Sequence, residues 1–186
     1  LSFCDTLREN AAECVGELRE LGATRTAMLT GDREEPARAI AGKAGIDEVY
    51  AHLLPEEKLE KLRALSGDGH NVLAVGDGIN DALILREATV GIAMGAMGSD
   101  LAIDSADIAL MNNNLRNIPF AIRLARRTRR IIYQNLVLSI GISAVMIALS
   151  ALGVISALAG SVFHNFGAFA VLLNSSRILR KTENAN

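Results

Sequence analysis

Two short segments rich in glycine and aspartate have the composition of a site for phosphate and a metal ion. Residues 30–32 (Thr-Gly-Asp) follow one apolar run, and residues 76–81 (Gly-Asp-Gly-Ile-Asn-Asp) follow another. Glycine lets the backbone approach a ligand closely, and free backbone amides at such turns bind phosphate oxygens. Asp77 and Asp81 are four residues apart and would offer two hard oxygen ligands to an ion such as Mg²⁺. The pair of segments therefore indicates a phosphate and cation site.

A lysine between the two segments can add positive charge at the same place. Lys58 lies near the start of a predicted helix that follows Pro55. Each feature alone also has a structural explanation, because Thr30 can bond its own backbone in a turn, Gly-Asp-Gly is common in turns, and single lysines are usually solvated. Their order along the chain, with both Gly-Asp segments after apolar runs, favours the functional interpretation.

Alternating strand and helix patterns place these segments at the edge of a sheet. Such alternation is typical of a parallel sheet covered by helices on both faces, and ligands bind at the carboxyl ends of its strands. The pattern predicts strands at 26–29, 49–51, 72–75, 90–93 and 108–111, with helices at 10–21, 36–44, 56–66 and 82–87. The fold class is therefore α/β, with both candidate segments at strand ends.

The last third of the chain has a different character. Residues 131–176 contain no Asp, Glu, Lys or Arg. Because a membrane helix needs about 20 apolar residues, these 46 predict two spans, at 132–152 and 155–175, joined by a turn near Gly153. A buried helical hairpin in a soluble protein is the alternative, but the preceding residues could hardly cover so much apolar surface.

The charges outside this stretch predict its orientation and exclude one class of partner. Five arginines precede the first span, and basic residues also follow the second, so both flanks are predicted to be cytoplasmic. Residues 1–122 hold 11 basic and 20 acidic groups, a net charge of −9, which argues against nucleic-acid binding. The arginines before the first span are Arg123, Arg126, Arg127, Arg129 and Arg130, and the residues after the second are Arg177, Arg180 and Lys181.

In these motifs the sequence resembles the P-type ATPases, whose phosphorylation domain is haloacid-dehalogenase-like. The similar stretches are MLTGDREEPARAIAGKAGI, LLPEEKLEKLRAL, VLAVGDGINDALIL, ATVGIAMG, ADIALM and the terminal VLLNSSRIL. The ending resembles the heavy-metal-transporting, type IB branch. The resemblance implies four parts: a portion of the phosphorylation domain (1–122), a basic helical linker (123–131), two transmembrane helices (132–176) and a cytoplasmic tail (177–186). It also implies a multi-pass membrane protein with a cytoplasmic phosphorylation domain.

The resemblance assigns a role to each candidate residue. Thr30 and Gly31 would hold the phosphoryl group and Asp32 would fix their loop, while Lys58 would neutralise phosphate charge. Asp77 would bind Mg²⁺, and Asn80 and Asp81 would order the phosphate and the surroundings of the metal. The implied cofactors are ATP and Mg²⁺, and the implied partners are a transported metal ion, membrane lipid and the remainder of a pump, with no nucleic acid.

One family motif does not occur in these residues. The Asp-Lys-Thr-Gly-Thr segment that carries the phosphorylated aspartate is missing, as is the ATP-binding insertion. We therefore expect the carboxy-terminal part of an ATP-driven exporter of heavy-metal cations, inactive without the nucleophile. Two alternatives stay open: a membrane-anchored phosphatase of the haloacid-dehalogenase type, and a truncated non-catalytic subunit.

Polar residues within the predicted spans are the candidates for binding the transported ion. Polar groups are costly inside a membrane unless they face partners or a pathway. His164, Asn165 and Ser143 are the candidate ligands. An imidazole suits borderline divalent ions and an amide oxygen tolerates harder ones, so Mn, Fe, Co or Ni is favoured over Cu. The alternative is that His164 only bonds a neighbouring helix.

Overall fold

The computed structural model describes residues 7–67, 69–77, 80–95, 100–112 and 114–178. The chain forms two compact units, residues 1–120 and 121–186. Among the described residues, the strands all lie in the first unit, and helices account for most of the second. The division of the chain into linker, membrane segment and tail stays a prediction.

The strands of the first unit form two separate parallel sheets. Strand β1 (Ala27–Leu29) pairs with β2 (Glu48–Tyr50), and β3 (Leu73–Gly76) pairs with β4 (Val90–Met94), which in turn pairs with β5 (Ile108–Leu110). The prediction of parallel strands alternating with helices is confirmed. The described strands form two sheets and not one continuous sheet, because β1 and β3 are not hydrogen-bonded to each other.

Helices connect these strands close to the predicted positions. The bounds are α1 (Ala11–Glu20), α2 (Glu34–Ala44), α3 (Pro55–Ser66), α4 (Ala82–Glu87) and α5 (Asp100–Asp104). The five-residue α5 was not predicted, since one and a half turns leave too short a periodic pattern to recognise. Helix α2 ends at Gly45, whose φ of 75° stops the helix in a left-handed conformation.

The core of the first unit lies where α3 and α4 pack on the three-stranded sheet. Its buried residues are Leu62, Ala74, Ile84, Leu85 and Ala93. An added Cβ at Gly91 would overlap the backbone carbonyl of Leu85, so glycine lets α4 lie directly on β4. This close packing holds α4 on the sheet, and α4 begins where the second Gly-Asp segment ends.

The second unit is built from two long helices. Helix α6 (Asn117–Ala151) begins within the first unit and continues through the arginines and the first predicted span without interruption, and α7 (Ala157–Ser176) follows a turn at Gly153. Within the described residues, α6 is the one helix both long and apolar enough to cross a membrane. The second span stays a prediction.

Candidate functional site

The carboxyl end of β1 holds the first Gly-Asp segment in a hydrogen-bonded loop. The Thr30 hydroxyl donates to Asp32 Oδ2 at 2.8 Å, and the Asp32 amide donates to Thr30 Oγ1 at 3.1 Å. The chain after β2 is joined to this loop, because the amides of His52 and Leu53 donate to the carbonyls of Asp32 and Thr30. The short contacts give the exposed Thr30–Asp32 turn a defined shape at the strand end.

Glycine at position 31 has no structural cause in this loop. Its backbone is not left-handed, and an added Cβ would lie 3.4 Å from the Leu53 carbonyl oxygen, an ordinary van der Waals distance. The fold would therefore accept a side chain there. The space above Gly31 suits close approach of a ligand to the backbone.

The carboxyl end of β3 positions the second segment. Asn80 donates twice to Asp77, from its backbone amide to Oδ1 and from its side chain to Oδ2, both at 3.0 Å. Gly76 lies beneath Asp81: a Cβ on Gly76 would fall 2.7 Å from the Asp81 Cβ. The absence of a side chain at 76 therefore lets Asp81 fold back over the strand end.

Lys58 and Asp81 form an ion pair. Lys58 Nζ lies 2.8 Å from Asp81 Oδ1, with side-chain exposures of 14% and 25%. This contact joins the first turn of α3 to the start of α4, and an Arg63–Glu87 ion pair joins the same two helices further along. Sequence reasoning placed Lys58 at the site but did not predict its partner, because the pairing depends on how α3 packs on α4.

The donor set at β3 fits a hard divalent cation. Asp77 is exposed and presents carboxylate oxygens at the strand end, beside the partly exposed Asp81. The described residues contain no group of three or more His, Cys, Asp or Glu side chains close enough to hold a metal. Mg²⁺ does not require such a group, since it typically takes one or two carboxylates and keeps waters or phosphate oxygens.

The opposite, amino ends of β1 and β2 carry charges that serve the fold. The Thr26 hydroxyl and amide donate to Asp47 Oδ2 at 2.7 and 2.9 Å, and these bonds lower the pKa of the Asp47 carboxyl. The hydroxyl of Tyr50, together with Arg25, likewise lowers the pKa of Glu48. Each of these carboxylates is partnered within its own neighbourhood.

The candidate ion ligands lie on both helices of the second unit. Ser143 is half-buried on α6, and Asn165 is exposed on α7. The backbone of His164 belongs to α7, but its side chain lies outside the described part of the structure. An added Cβ at Gly167 would come within 3.1 Å of Ile142, so the two helices approach closely at this level.

A polar network that sequence reasoning did not assemble joins the same helices. Asn174 donates to Asn135 Oδ1, and Asn135 donates to the Ser175 hydroxyl, each at 2.8 Å. The Ser175 hydroxyl in turn donates to the Val171 carbonyl. The sequence does show polar residues in both predicted spans. Which of them pair could not be predicted, because the pairing depends on the register of one helix against the other.

Comparison with known proteins shows what the chain is similar to. Residues 1–89 match the model of the haloacid dehalogenase-like hydrolases. The chain is 41% identical over 182 residues to the cadmium, zinc and cobalt-transporting ATPase of Bacillus subtilis, covering 96% of this chain and 26% of that protein. It is 42% identical to the manganese-exporting P-type ATPase of Mycobacterium tuberculosis, covering 97% and 25%.

A solved structure agrees over nearly the whole chain. A zinc-transporting PIB-type ATPase in its E2.Pi state superposes with a TM-score of 0.85 at 38% identity, covering 94% of this chain and 28% of that one. The homologues of this chain at 38–42% identity are heavy-metal P-type ATPases. The chain spans about a quarter of the length of these relatives. Helix α6 is long and apolar enough to cross a membrane, and the homologues are metal-transporting ATPases. The chain is therefore part of a membrane protein.

Proposed function

We propose that this P-type ATPase chain provides the phosphate-binding and Mg²⁺-binding loops and a pair of membrane helices of an ATP-driven exporter of heavy-metal cations. The observation that carries the proposal is the placement of the two Gly-Asp segments at the carboxyl ends of β1 and β3, in two sheets of one compact unit. Aspartyl-phosphate chemistry requires positioned donors and charge compensation around one phosphoryl group, and these segments supply both.

The arrangement of the strands in two sheets is consistent with a further strand that would lie between β1 and β3 in the whole protein. Within the described residues, β1 pairs only with β2 and β3 pairs only with β4, so β1 and β3 each have one edge without a partner strand. A further parallel strand between those edges would end beside both Thr30 and Asp77. The family nucleophile, in its Asp-Lys-Thr-Gly-Thr segment, belongs at such a strand end.

Each loop residue then has a physical role. The Gly31 amide binds a phosphoryl oxygen, and the Thr30 hydroxyl turns its single proton from Asp32 to another, while the bond from the Asp32 amide to Thr30 Oγ1 still holds the loop in shape. Asp77 holds Mg²⁺, and Asn80 orients the Asp77 carboxylate through its two bonds. When bound, Mg²⁺ compensates phosphate charge, and ATP is the phosphoryl donor.

Lys58 contributes a positive charge, and its ion pair with Asp81 sets the position of that charge. At 2.8 Å from Asp81, the ammonium group is held at the level of the β3 strand end. A lysine ammonium acts as a compact point charge and can contact a phosphate and a carboxylate at once. We infer that Lys58 neutralises the phosphoryl group while Asp81 keeps the ammonium in place.

The transported cargo is proposed to be a divalent transition-metal ion. Relatives are named for cadmium, zinc, cobalt and manganese. We propose His164, Asn165 and Ser143 as its ligands, with both helices crossing the membrane in a multi-pass protein and the phosphorylation domain in the cytoplasm. An imidazole with amide and hydroxyl oxygens favours Mn, Fe, Co or Ni over Cu.

The test uses a chimera in which this chain replaces the matching quarter of the Bacillus subtilis ATPase. Phosphoenzyme formation from radiolabelled ATP and metal-stimulated ATP hydrolysis are measured. We expect Lys58→Gln to reduce both at least about tenfold, the scale of one lost charge interaction at a phosphate. The matched control is Lys61→Gln on the same helix, whose ammonium lies 4.3 Å from the centroid of the Tyr50 ring.

The outcomes separate the proposal from its alternatives. Equal activity of the Lys58 and Lys61 variants contradicts the role of Lys58. A chimera that hydrolyses phosphate esters without any metal stimulation favours the membrane-anchored phosphatase. A chimera without phosphoenzyme favours the non-catalytic subunit.

A further inference from the structure

An arginine-lined cavity occupies the second unit near one end of its helix pair. The cavity has a volume of about 510 Å³. Four of its arginines recur at intervals of three, one and three residues along α6, so they share one helix face. Its lining consists of Arg123, Arg126, Arg127, Arg130, Ile131, Gln134 and Arg177.

The end of α7 completes this cavity. Arg177 caps the carboxyl terminus of α7, and the Arg127 guanidinium donates to the Arg177 carbonyl oxygen. One arginine of α6 thus holds the helix end that carries another arginine. The cavity is therefore a feature of the paired helices rather than of α6 alone.

The cavity has a large excess of positive charge. Five guanidinium groups and no carboxylate are among the described residues that line it. Guanidinium groups crowded in this way repel one another, and a planar donor fork matches the oxygens of a phosphate. An anion with phosphate geometry would relieve the repulsion and use several forks together.

An apolar surface begins directly beyond the charged one. Ile131 in the lining is buried, and from the next residue α6 exposes large apolar side chains, among them Ile132 at 60%, Tyr133 at 68% and Leu136 at 54%. Tyrosine at such a boundary is typical of the membrane interface. A ligand with both an anionic group and an apolar tail matches the two adjoining surfaces.

We propose that this cavity binds the phosphate headgroup of an anionic membrane phospholipid, with its acyl chains along the exposed apolar face of α6. Basic pockets between membrane helices bind such headgroups in other proteins. The proposal requires α6 to lie in a membrane and does not depend on ATP-driven transport. Bound lipid would tie the arginine-bearing end of the helix pair to the bilayer surface.

The test measures lipid binding by the complete chain in nanodiscs. The probe is fluorescent phosphatidylglycerol, titrated into discs of phosphatidylcholine. Arg130→Gln removes a lining charge, and Arg129→Gln removes an equal charge one residue away, outside the cavity. We expect about fivefold weaker binding for Arg130→Gln and less than twofold change for Arg129→Gln, since one interfacial arginine contributes on that scale.

Further arms distinguish the source of the phosphate group. Arg130→Lys keeps the charge and should retain most of the binding, and circular dichroism should show equal helix content in all variants. Addition of inorganic phosphate or glycerol phosphate should leave the lipid bound. Displacement by either soluble anion, equal effects of the two glutamine variants, or no preference for phosphatidylglycerol over phosphatidylcholine would each overturn the proposal.

Discussion

The two units of the chain handle polar groups in opposite ways. In the first unit charged residues sit at strand ends, and ion pairs such as Lys58–Asp81 and Arg19–Asp47 hold loops and helices. In the second unit, beyond the arginines, uncharged amides and hydroxyls pair between helices, as Asn135 does with Asn174 and Ser175. The proposed position of the helix pair in a membrane would account for the difference, because water tolerates a half-exposed charge, whereas hydrocarbon requires each polar group to have a partner.

Single substitutions should act through chemistry at the strand ends of the first unit and through packing in the helix pair of the second. At the strand ends, a carboxylate can be replaced by an amide of equal shape with little effect on the fold, so activity reports its charge. In the helix pair, removing one amide leaves the partner amide unsatisfied. Substitutions of the first kind should change turnover, and those of the second kind should change helix association.

The largest effect is expected at Asp77. Asp77→Asn keeps the size of the side chain and one acceptor oxygen for Asn80, but it loses one of the two bonds from Asn80 and removes the charge proposed to hold Mg²⁺. In the chimera we expect at least about a hundredfold loss of ATP turnover, the scale of removing one charge-stabilising group from an active site. Asp104→Asn, an exposed position in α5, is the matched control. Turnover near the wild-type rate in Asp77→Asn would break the assignment of the site.

Gly76→Ala tests the geometry of the same strand end. The added methyl would fall 2.7 Å from the Asp81 Cβ and push Asp81 away from Lys58. We expect a cost of about 1–3 kcal/mol in stability together with reduced phosphoenzyme formation. Gly42→Ala in α2 has no atom within 4 Å of the new Cβ and should stabilise the helix by roughly 0.5–1 kcal/mol. Thermal melts and phosphorylation assays on both variants check this, and equal behaviour would refute it.

Most helices and strands of the first unit could be predicted from the sequence, but the contacts between distant residues could not. Apolar runs ending in Gly-Asp predicted both strand ends, because strand period and turn residues are local signals. The contact between Lys58 and Asp81 could not be predicted, since it depends on α3 packing against α4 through residues such as Leu62 and Leu85. The split into two sheets is likewise a matter of long-range pairing, which local patterns do not encode.

Asn135→Ala should have a smaller effect, confined to the helix pair. It removes the acceptor of the Asn174 side chain and the donor to the Ser175 hydroxyl. We expect helix association to weaken by about 0.6–2 kcal/mol, the range for polar contacts between membrane helices. The measurement is the reversible unfolding of the chain in mixed micelles. Ser139→Ala, an exposed position one turn further along α6, is the control, and an equal loss there would contradict the network.

The smallest effect concerns the amino ends of the first two strands. Because bonds from Thr26 lower the pKa of Asp47, and bonds from Tyr50 and Arg25 lower that of Glu48, the native state favours both carboxylates in their charged form. Their stabilisation is complete above the unfolded values, about 3.8 and 4.5, and is lost as pH falls through the lower folded values. Asp47 is exposed and Glu48 is partly exposed, so the contribution to stability is modest.

Asp47→Asn removes this titrating charge together with its ion pair to Arg19, while the amide oxygen can still accept from Thr26. The stability of the variant should fall less steeply than that of the wild type as pH decreases below 4, in acid titrations of the chain followed by circular dichroism. Activity of the chimera at neutral pH should stay within twofold, since these strand ends lie opposite the Gly-Asp segments. If the stability of both proteins fell equally steeply below pH 4, the Asp47 carboxylate would not be stabilised by its contacts in the folded state. A loss of turnover would instead assign a catalytic role to the amino ends of β1 and β2, whose contacts otherwise stabilise only the fold.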